Sequence, residues 1–487
     1  MVDDKEHTKS SGKTIHFVSL GCPKNRVDTE VMLGVADGDG YTMVADPESA
    51  DVIVVNTCGF IGPAKEESID TILEMAEHKS KSGGHKKLVV TGCLSQRYSK
   101  ELAEEMPEVD HFLGSSDMLQ LEKVLAGGAP KMLVGNPAAY TIRAEDRRML
   151  SGPKHSAYVK IAEGCNRTCS FCSIPSIRGK QRSRTIEDVV DEVRHLAANG
   201  TVEVNLVSQD TIAYGRDIDG RPTLAQLVRA LGEIDALHWI RLHYLYPETL
   251  TDELVDVLAT HPKVVRYVDM PLQHASDPML RSMKRGHGGD RLRRVVETVR
   301  TKVPNVVFRT AFIVGHPGET DKDFDELVEF VEWAQFDHVG VFRYSDEENV
   351  ASHAMDAKVS AKVSAARHRK LMSVQRPIAR KKNKARIGET IEVLVEGPSE
   401  EHEFVMQGRH AGQAPEVDGV VYLSGAEVAP GTFVKATITQ SAEFDLVGEV
   451  EGGDGWLEAE EAKERREQAR EAAKKAVKRK VSLRIAQ

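Results

Sequence analysis

The chain is 487 residues long, 40% hydrophobic and 29% charged, a balance that excludes a disordered or fibrous protein and leaves a globular one. At about 150 residues per domain it holds roughly three domains. A net charge of −10 argues against a chain built mainly to neutralise phosphates, and six cysteines are too sparse for a disulfide-stapled secreted fold, so they point to metal binding or catalysis.

Residues 1–12 are polar and lack the apolar stretch of a secretory signal, and no apolar run is long enough to span a bilayer. The expectation is a cytoplasmic protein with no membrane partner. Residues 15–20, 52–56 and 88–91 are short apolar runs that read as buried parallel strands, each followed by a helical pattern. The second of those helices opens on Pro63, suited to a first turn, and its Ile69, Ile72, Leu73 and Met75 fall mostly on one face. Strand alternating with helix predicts a doubly wound α/β domain over residues 13–150.

A linker containing Pro137, Ser151, Gly152 and Pro153 leads to a second alternating series over residues 151–380, with strands expected at 157–162, 202–207, 239–243, 265–269, 306–313 and 338–342. Six units that return through helices predict a partial or full (β/α) barrel, a sheet of other topology being the alternative. After the basic helical stretch 380–386 the period changes to two. Runs at 391–395, 403–407, 420–423 and 432–439 predict a small antiparallel β-barrel, OB-like, over residues 381–450. Residues 451–487, rich in Glu, Ala, Arg and Lys, read as a charged helical or flexible tail.

Cys22, Cys58 and Cys93 each stand two residues beyond one of the three amino-terminal strands. In a parallel sheet such strand ends share one edge, where ligands gather, so the three can converge. Three buried unreactive cysteines are the plainer alternative, but core packing gives no reason for all of them to fall just past a strand end. Cys165, Cys169 and Cys172 lie in one tight loop after the first barrel strand, at the end where barrel active sites are built. A four-iron cubane takes four thiolates, so three leave one iron open to the amino and carboxyl groups of S-adenosylmethionine. A zinc site completed by His155 or His243 is the alternative.

These segments resemble the methylthiotransferases of the radical S-adenosylmethionine superfamily, over nearly the whole chain to about Val450. Ser19-Leu20-Gly21-Cys22-Pro23-Lys24-Asn25, Asn56-Thr57-Cys58-Gly59-Phe60 and Thr91-Gly92-Cys93 look like that family's amino-terminal motifs, and Cys165 to Cys172 is similar to its radical motif. The resemblance implies an auxiliary 4Fe-4S cluster on the first triad, a radical 4Fe-4S cluster on the second, and a TRAM-type final barrel. It also implies the chemistry: an electron from the barrel cluster cleaves S-adenosylmethionine, the deoxyadenosyl radical removes a substrate hydrogen, and sulfur presented at the auxiliary cluster couples to that carbon. A second S-adenosylmethionine supplies the methyl group.

Other residues are expected to frame the cofactor. Phe171 would stack on adenine, a core aromatic being the alternative. Ser208, Gln209 and Asp210 follow the second barrel strand on the same rim. Gly315 and Glu319 follow the fifth, where glycines let backbone approach a nucleoside, as a plain turn also explains. Arg178 reads as a weaker case, a surface ion pair being the alternative.

The family serves two substrate classes, an adenosine in transfer RNA and the β-carbon of an aspartate in small-subunit ribosomal protein S-twelve. Pro23-Lys24-Asn25 resembles the ribosomal-protein branch, where the transfer-RNA branch tends to have Gln-Met-Asn; Gln209-Asp210-Thr211 and residues 270–276 also resemble the former. Thr29 in place of the usual Ser and His316 in place of the usual Phe are slight departures. Residues 387–450 hold twelve acidic side chains against two basic ones, Arg409 and Lys435, a surface that repels phosphates and attracts a basic protein. The expected partners are therefore that ribosomal protein and an electron-donating reductase, with transfer RNA disfavoured. A ribosome-binding metalloprotein without catalysis is the alternative of a different class.

Overall fold

The computed structural model describes residues 12–399, 401–402, 405–425 and 428–451; the expected charged tail after its first residue, Glu451, and the first two residues of the expected strand 403–407 lie outside them. The first sheet comprises β1 (Thr14–Ser19), β2 (Thr42–Met43), β3 (Val52–Thr57), β4 (Lys87–Gly92), β5 (His111–Leu113) and β6 (Met132–Leu133). All are parallel, in the spatial order β2-β1-β3-β4-β5-β6. Alternation sends Val52 and Val54 to one face with Val27, Val31 and Leu33 of the helix Pro23–Gly38, and Ile53 and Val55 to the other with Ile72 and Met75 of the helix Gly62–Lys81. Both faces are thereby covered, as an all-parallel sheet requires. The chain leaves β1 toward one edge and returns to β3 on the other side, so the crevice beyond the carboxyl ends of β1 and β3 is a topological switch point.

The middle of the chain forms β7 (Ser156–Lys160), β8 (Ala162–Glu163), β9 (Arg182–Ser183), β10 (Glu203–Val207), β11 (Trp239–Leu242), β12 (Tyr267–Asp269), β13 (Val307–Val314) and β14 (His338–Arg343). Parallel pairing joins β7, β10 and β11, and separately β12, β13 and β14; a bridge between Ile240 and Val264 links the two groups. β7 and β14 do not pair, which makes an open barrel. The hairpin of β8 and β9 clasps the base of the excursion that carries Cys165, Cys169 and Cys172. Against β7 lies the helix Pro23–Gly38, with twelve of its sixteen residues buried, so polar side chains on it must find partners across the domain interface.

The last region is a closed barrel of β15 (Thr390–Pro398), β16 (Met406–His410), β17 (Val421–Ser424), β18 (Phe433–Ser441) and β19 (Leu446–Val450), in the order β15-β16-β17-β19-β18. The expectation of four antiparallel strands is corrected here: a fifth strand, β19, is present, and it runs parallel to β17. An odd number of strands cannot alternate in direction around a closed ring, so one pair must be parallel. The expected boundary at 380 falls within the helix Ala361–Ala385, because its Leu371 and Ile378 pack into the open-barrel core while its basic end pairs with Asp337 and Glu443. Glu203 of β10, wholly buried, binds Arg241 at 3.1 Å and Arg409 of β16 at 2.6 Å, and so ties the two barrels together.

Candidate active site

Three adjacent strand ends build the first triad. Gly21 and Gly92, immediately before Cys22 and Cys93, have φ of +89° and +98°, a conformation that side chains other than glycine rarely adopt. A Cβ on Gly21 would lie 2.8 Å from Cys58 Cβ, and one on Gly92 would lie 2.3 Å from Asn56 Oδ1 and 2.6 Å from the Thr57 carbonyl oxygen. Both corners thus turn their cysteines toward Cys58 at closer range than any side chain allows. Asn25 stitches the loops: its Nδ2 donates to the carbonyl oxygens of Leu20 and Thr57, each at 2.9 Å. Asn56 Nδ2 donates to the Asn25 carbonyl at 2.8 Å and to Thr29 Oγ1 at 2.9 Å, so threonine at 29 keeps the hydroxyl of the usual serine.

With the two triads holding clusters as the resemblance implies, Gly92→Ala is expected to lose the first triad's metal while keeping the second's. Strain at positive φ and the clash with Asn56 force the Cys93 loop away, and iron in the reconstituted protein should fall from about eight to about four per chain. Iron and sulfide analysis checks this.

Burial pushes the Cys58 thiol up to about 12, with the neighbouring Cys93 and Cys22 adding to the effect. It raises Cys93 as well, opposed by the Arg178 guanidinium. In the second triad burial lifts Cys165 to about 11 and Cys172 to about 12. Metal-free, these thiols hold their protons at neutral pH, so iron binding must displace them.

The second triad is pinned by backbone. Cys165 N–H donates to the Gly179 carbonyl at 3.1 Å, Cys172 N–H to that of Cys169 at 3.2 Å, and Ser170 N–H to that of Met283 at 3.1 Å. Gln209 Nε2 donates to Glu163, while Arg167 Nε donates to Asp210 at 2.6 Å. Ser208 is buried and its hydroxyl lies 3.2 Å from that of Thr211. Phe171 is half-buried within the loop. Gln209 Oε1, Asp210 Oδ1, Ser173 Oγ and Arg285 Nε are buried without a partner. Such orphans cost about 1–3 kcal/mol each unless satisfied, so their gathering around the triad fits a polar cofactor bound there.

Gly315 and Glu319 play a supporting part. A Cβ on Gly315 would meet Ser364 Oγ at 2.6 Å, and the Glu319 carboxylate, wholly buried, accepts from Gly315 N–H and from Arg367 while facing His274 at 3.1 Å. His316 is buried, with Nε2 3.4 Å from Ser170 Oγ and its ring against Tyr344, the place an aromatic ring would take. The surface ion pair offered for Arg178 is corrected: the side chain is 2% exposed, its guanidinium donates to Asp28 at 2.7 Å, and it reaches Cys93 Sγ at 3.1 Å. Glu163, beside the second triad, pairs with Lys160 and Arg178; burial would raise its carboxyl, but those two cations outweigh it and hold it well below the usual range. Arg178 stands six residues past Cys172, so one short helix, Ile174–Arg178, carries a contact from one triad to the other. Position in sequence did not announce this role; the partners, Asp28 and Cys93, are 150 and 85 residues away.

Of the two histidines proposed for a zinc site, His243 is engaged, facing Asp269 at 3.3 Å and Asn205 at 3.4 Å, while His155 packs against Gly431 with its Nε2 buried and unpartnered. Among the described residues, no three His, Cys, Asp or Glu side chains are close enough to hold a single ion.

An open (β/α) barrel with a three-thiol loop at its rim, joined to a second triad on a doubly wound sheet, defines a radical S-adenosylmethionine enzyme with two iron–sulfur centres. Family models match accordingly: the radical SAM superfamily over residues 159–331, the family described as UPF0004 over 14–114, and the TRAM domain over 387–450. The chain is 65% identical over 446 residues to the ribosomal protein uS12 methylthiotransferase RimO of Sorangium cellulosum, covering 90% of this chain and 91% of that one, and 52% identical over 439 residues to that of Myxococcus xanthus, covering 90% and 92%. It belongs to the RimO family of methylthiotransferases. Among solved structures, the radical methyltransferase TsrM of Kitasatospora setae shares the fold at a TM-score of 0.52 and 14% identity, over 75% of this chain and 89% of that one. No helix of the described residues is long and apolar enough to cross a membrane.

Proposed function

We propose that this enzyme methylthiolates the β-carbon of an aspartate side chain of ribosomal protein uS12, with Cys22, Cys58 and Cys93 holding the auxiliary cluster and Cys165, Cys169 and Cys172 the radical cluster. The observation that supports it most is the contact of Arg178 with Cys93, which unites the two triads in one buried network. When bound, the barrel cluster and S-adenosylmethionine supply the radical chemistry and the methyl group, and the auxiliary cluster supplies the sulfur. The protein's part is orientation and dryness: Arg178, Lys160, Asp28 and Glu163 hold the two loops at a fixed distance, and their burial keeps water from the reacting centre. Gln209, Asp210, Ser208 and Phe171 would hold S-adenosylmethionine, with Gly315 and Glu319 bracing the same rim.

The acidic closed barrel supports a basic protein substrate. Of its two basic residues Arg409 is 1% exposed and spent on Glu203, which leaves Lys435 against twelve acidic residues. Glu416 and Asp418 line a cavity of about 760 Å³ that also opens on Cys22. An external reductase supplies the electrons. The reconstituted enzyme, given uS12 and unmodified transfer RNA separately, is expected to add a methylthio mass to the protein alone; a mass gain confined to the RNA would reverse the reading.

A further inference from the structure

Among the described residues, nine lysines and arginines are buried as whole residues, and seven of them pair with a carboxylate. The two exceptions each stand beside a triad. Arg285 donates to the Pro271 carbonyl at 2.9 Å and lies 3.5 Å from Cys169 Sγ, so it belongs to the barrel cluster's surroundings. Lys24, 9% exposed and two residues past Cys22, makes no ion pair with a carboxylate; its ammonium sits 3.5 Å from the ring centroid of Tyr244, and the one carboxylate whose charge reaches it, Glu163, is already paired with Lys160 and Arg178.

Burying an ammonium without an ion pair is costly, and a cation–π contact offsets only part of that cost. The imbalance is built, since Tyr244 is held for this contact at a strained φ of +59° by hydrogen bonds from its N–H to Asp269 at 3.2 Å and to its carbonyl from Thr211 at 3.3 Å. Tyr244 follows β11 at the barrel rim and Lys24 follows Cys22, so the ammonium stands where the two domains meet at the mouth of the barrel. The adjoining Cys22 and Pro23 line the 760 Å³ cavity, which has room for a side chain entering from outside.

We infer that Lys24 is the receptor for the carboxylate of the substrate aspartate, placing the neighbouring β-carbon between the two centres. This rests on the aspartate reading of the substrate. The auxiliary cluster's own charge is the competing claimant for the ammonium. It is disfavoured because Arg178 already donates to Cys93.

The test pairs two proteins with two substrates: reconstituted wild type and Lys24→Met, each titrated anaerobically with uS12 and with uS12 whose modified aspartate is asparagine, by binding and by kcat/KM. Wild type is expected to prefer the aspartate form about 100-fold, Lys24→Met to treat both alike, and Lys24→Arg to recover part of the preference. The wild-type comparison needs no enzyme variant, so a misfolded Lys24→Met does not spoil it. A wild type indifferent to the change, or a Lys24→Met enzyme that loses both substrates equally while keeping the preference, overturns the assignment. Wild type that binds neither form sinks the substrate reading and this inference with it.

Discussion

Cys165→Ala is expected to abolish cleavage of S-adenosylmethionine, whereas Cys22→Ala retains cleavage and forms no methylthio product. On the proposed assignment the first change removes a cluster ligand from the loop clasped by β8 and β9, and two thiols would not hold the cluster that binds S-adenosylmethionine. The second leaves that loop's backbone hydrogen bonds to Gly179 and Met283 in place and removes a thiol from the triad at the sheet's switch point. Deoxyadenosine and methylthio product measured on the same samples separate the two losses. Equal deoxyadenosine from both variants and the parent would defeat the division of labour.

Glu203→Gln is expected to destabilise the protein by about 3–5 kcal/mol and to loosen the closed barrel from the open one, because it leaves Arg241 buried with no carboxylate paired to it and Arg409 with Glu396 alone. Burial alone would raise the Glu203 carboxyl, but Arg409 and Arg241 outweigh it and hold it well below the usual range. A depressed carboxyl contributes fully above its unfolded value, near 4.3, and the contribution fades as pH falls beneath that value toward the folded one. His410 of β16 acts in the same direction earlier: burial first, then Arg386 and His338, hold it neutral, so stability declines once pH drops below about 6.5. Thermal melts from pH 8 to 3 are expected to show wild type falling through both windows and Glu203→Gln falling less steeply than wild type through the lower one, where other depressed carboxylates such as Glu163 and Asp269 remain. Melts of identical shape would show that Glu203 carries no such load.

The two readings differ in kind. Cys165→Ala tests chemistry at the triad, and Glu203→Gln tests whether the acidic barrel reaches the substrate only when locked to the catalytic one. Reduced affinity for uS12 in Glu203→Gln at unchanged iron content would join them, since Glu416 and Asp418 line the cavity beside Cys22 only while the barrel is docked.

The local pattern determined a good deal by itself. Apolar runs, their helical partners and the two cysteine spacings are short-range facts, and a parallel sheet turns cysteines one unit apart into neighbours through pairing geometry alone. That is why β1, β3, β4 and the six open-barrel strands could be read directly, while β2, β5 and β6, two or three residues long, were too short to show a period. Tertiary structure alone decided which charges meet. Arg178 looks like any surface arginine until helix Pro23–Gly38 lies against β7 and brings Asp28 to it, and the turn after β4 brings Cys93; Lys24 looks like one more lysine until Tyr244 covers it and no carboxylate pairs with it. Burial changes what a charge is worth, and no run of neighbouring residues records burial across domains.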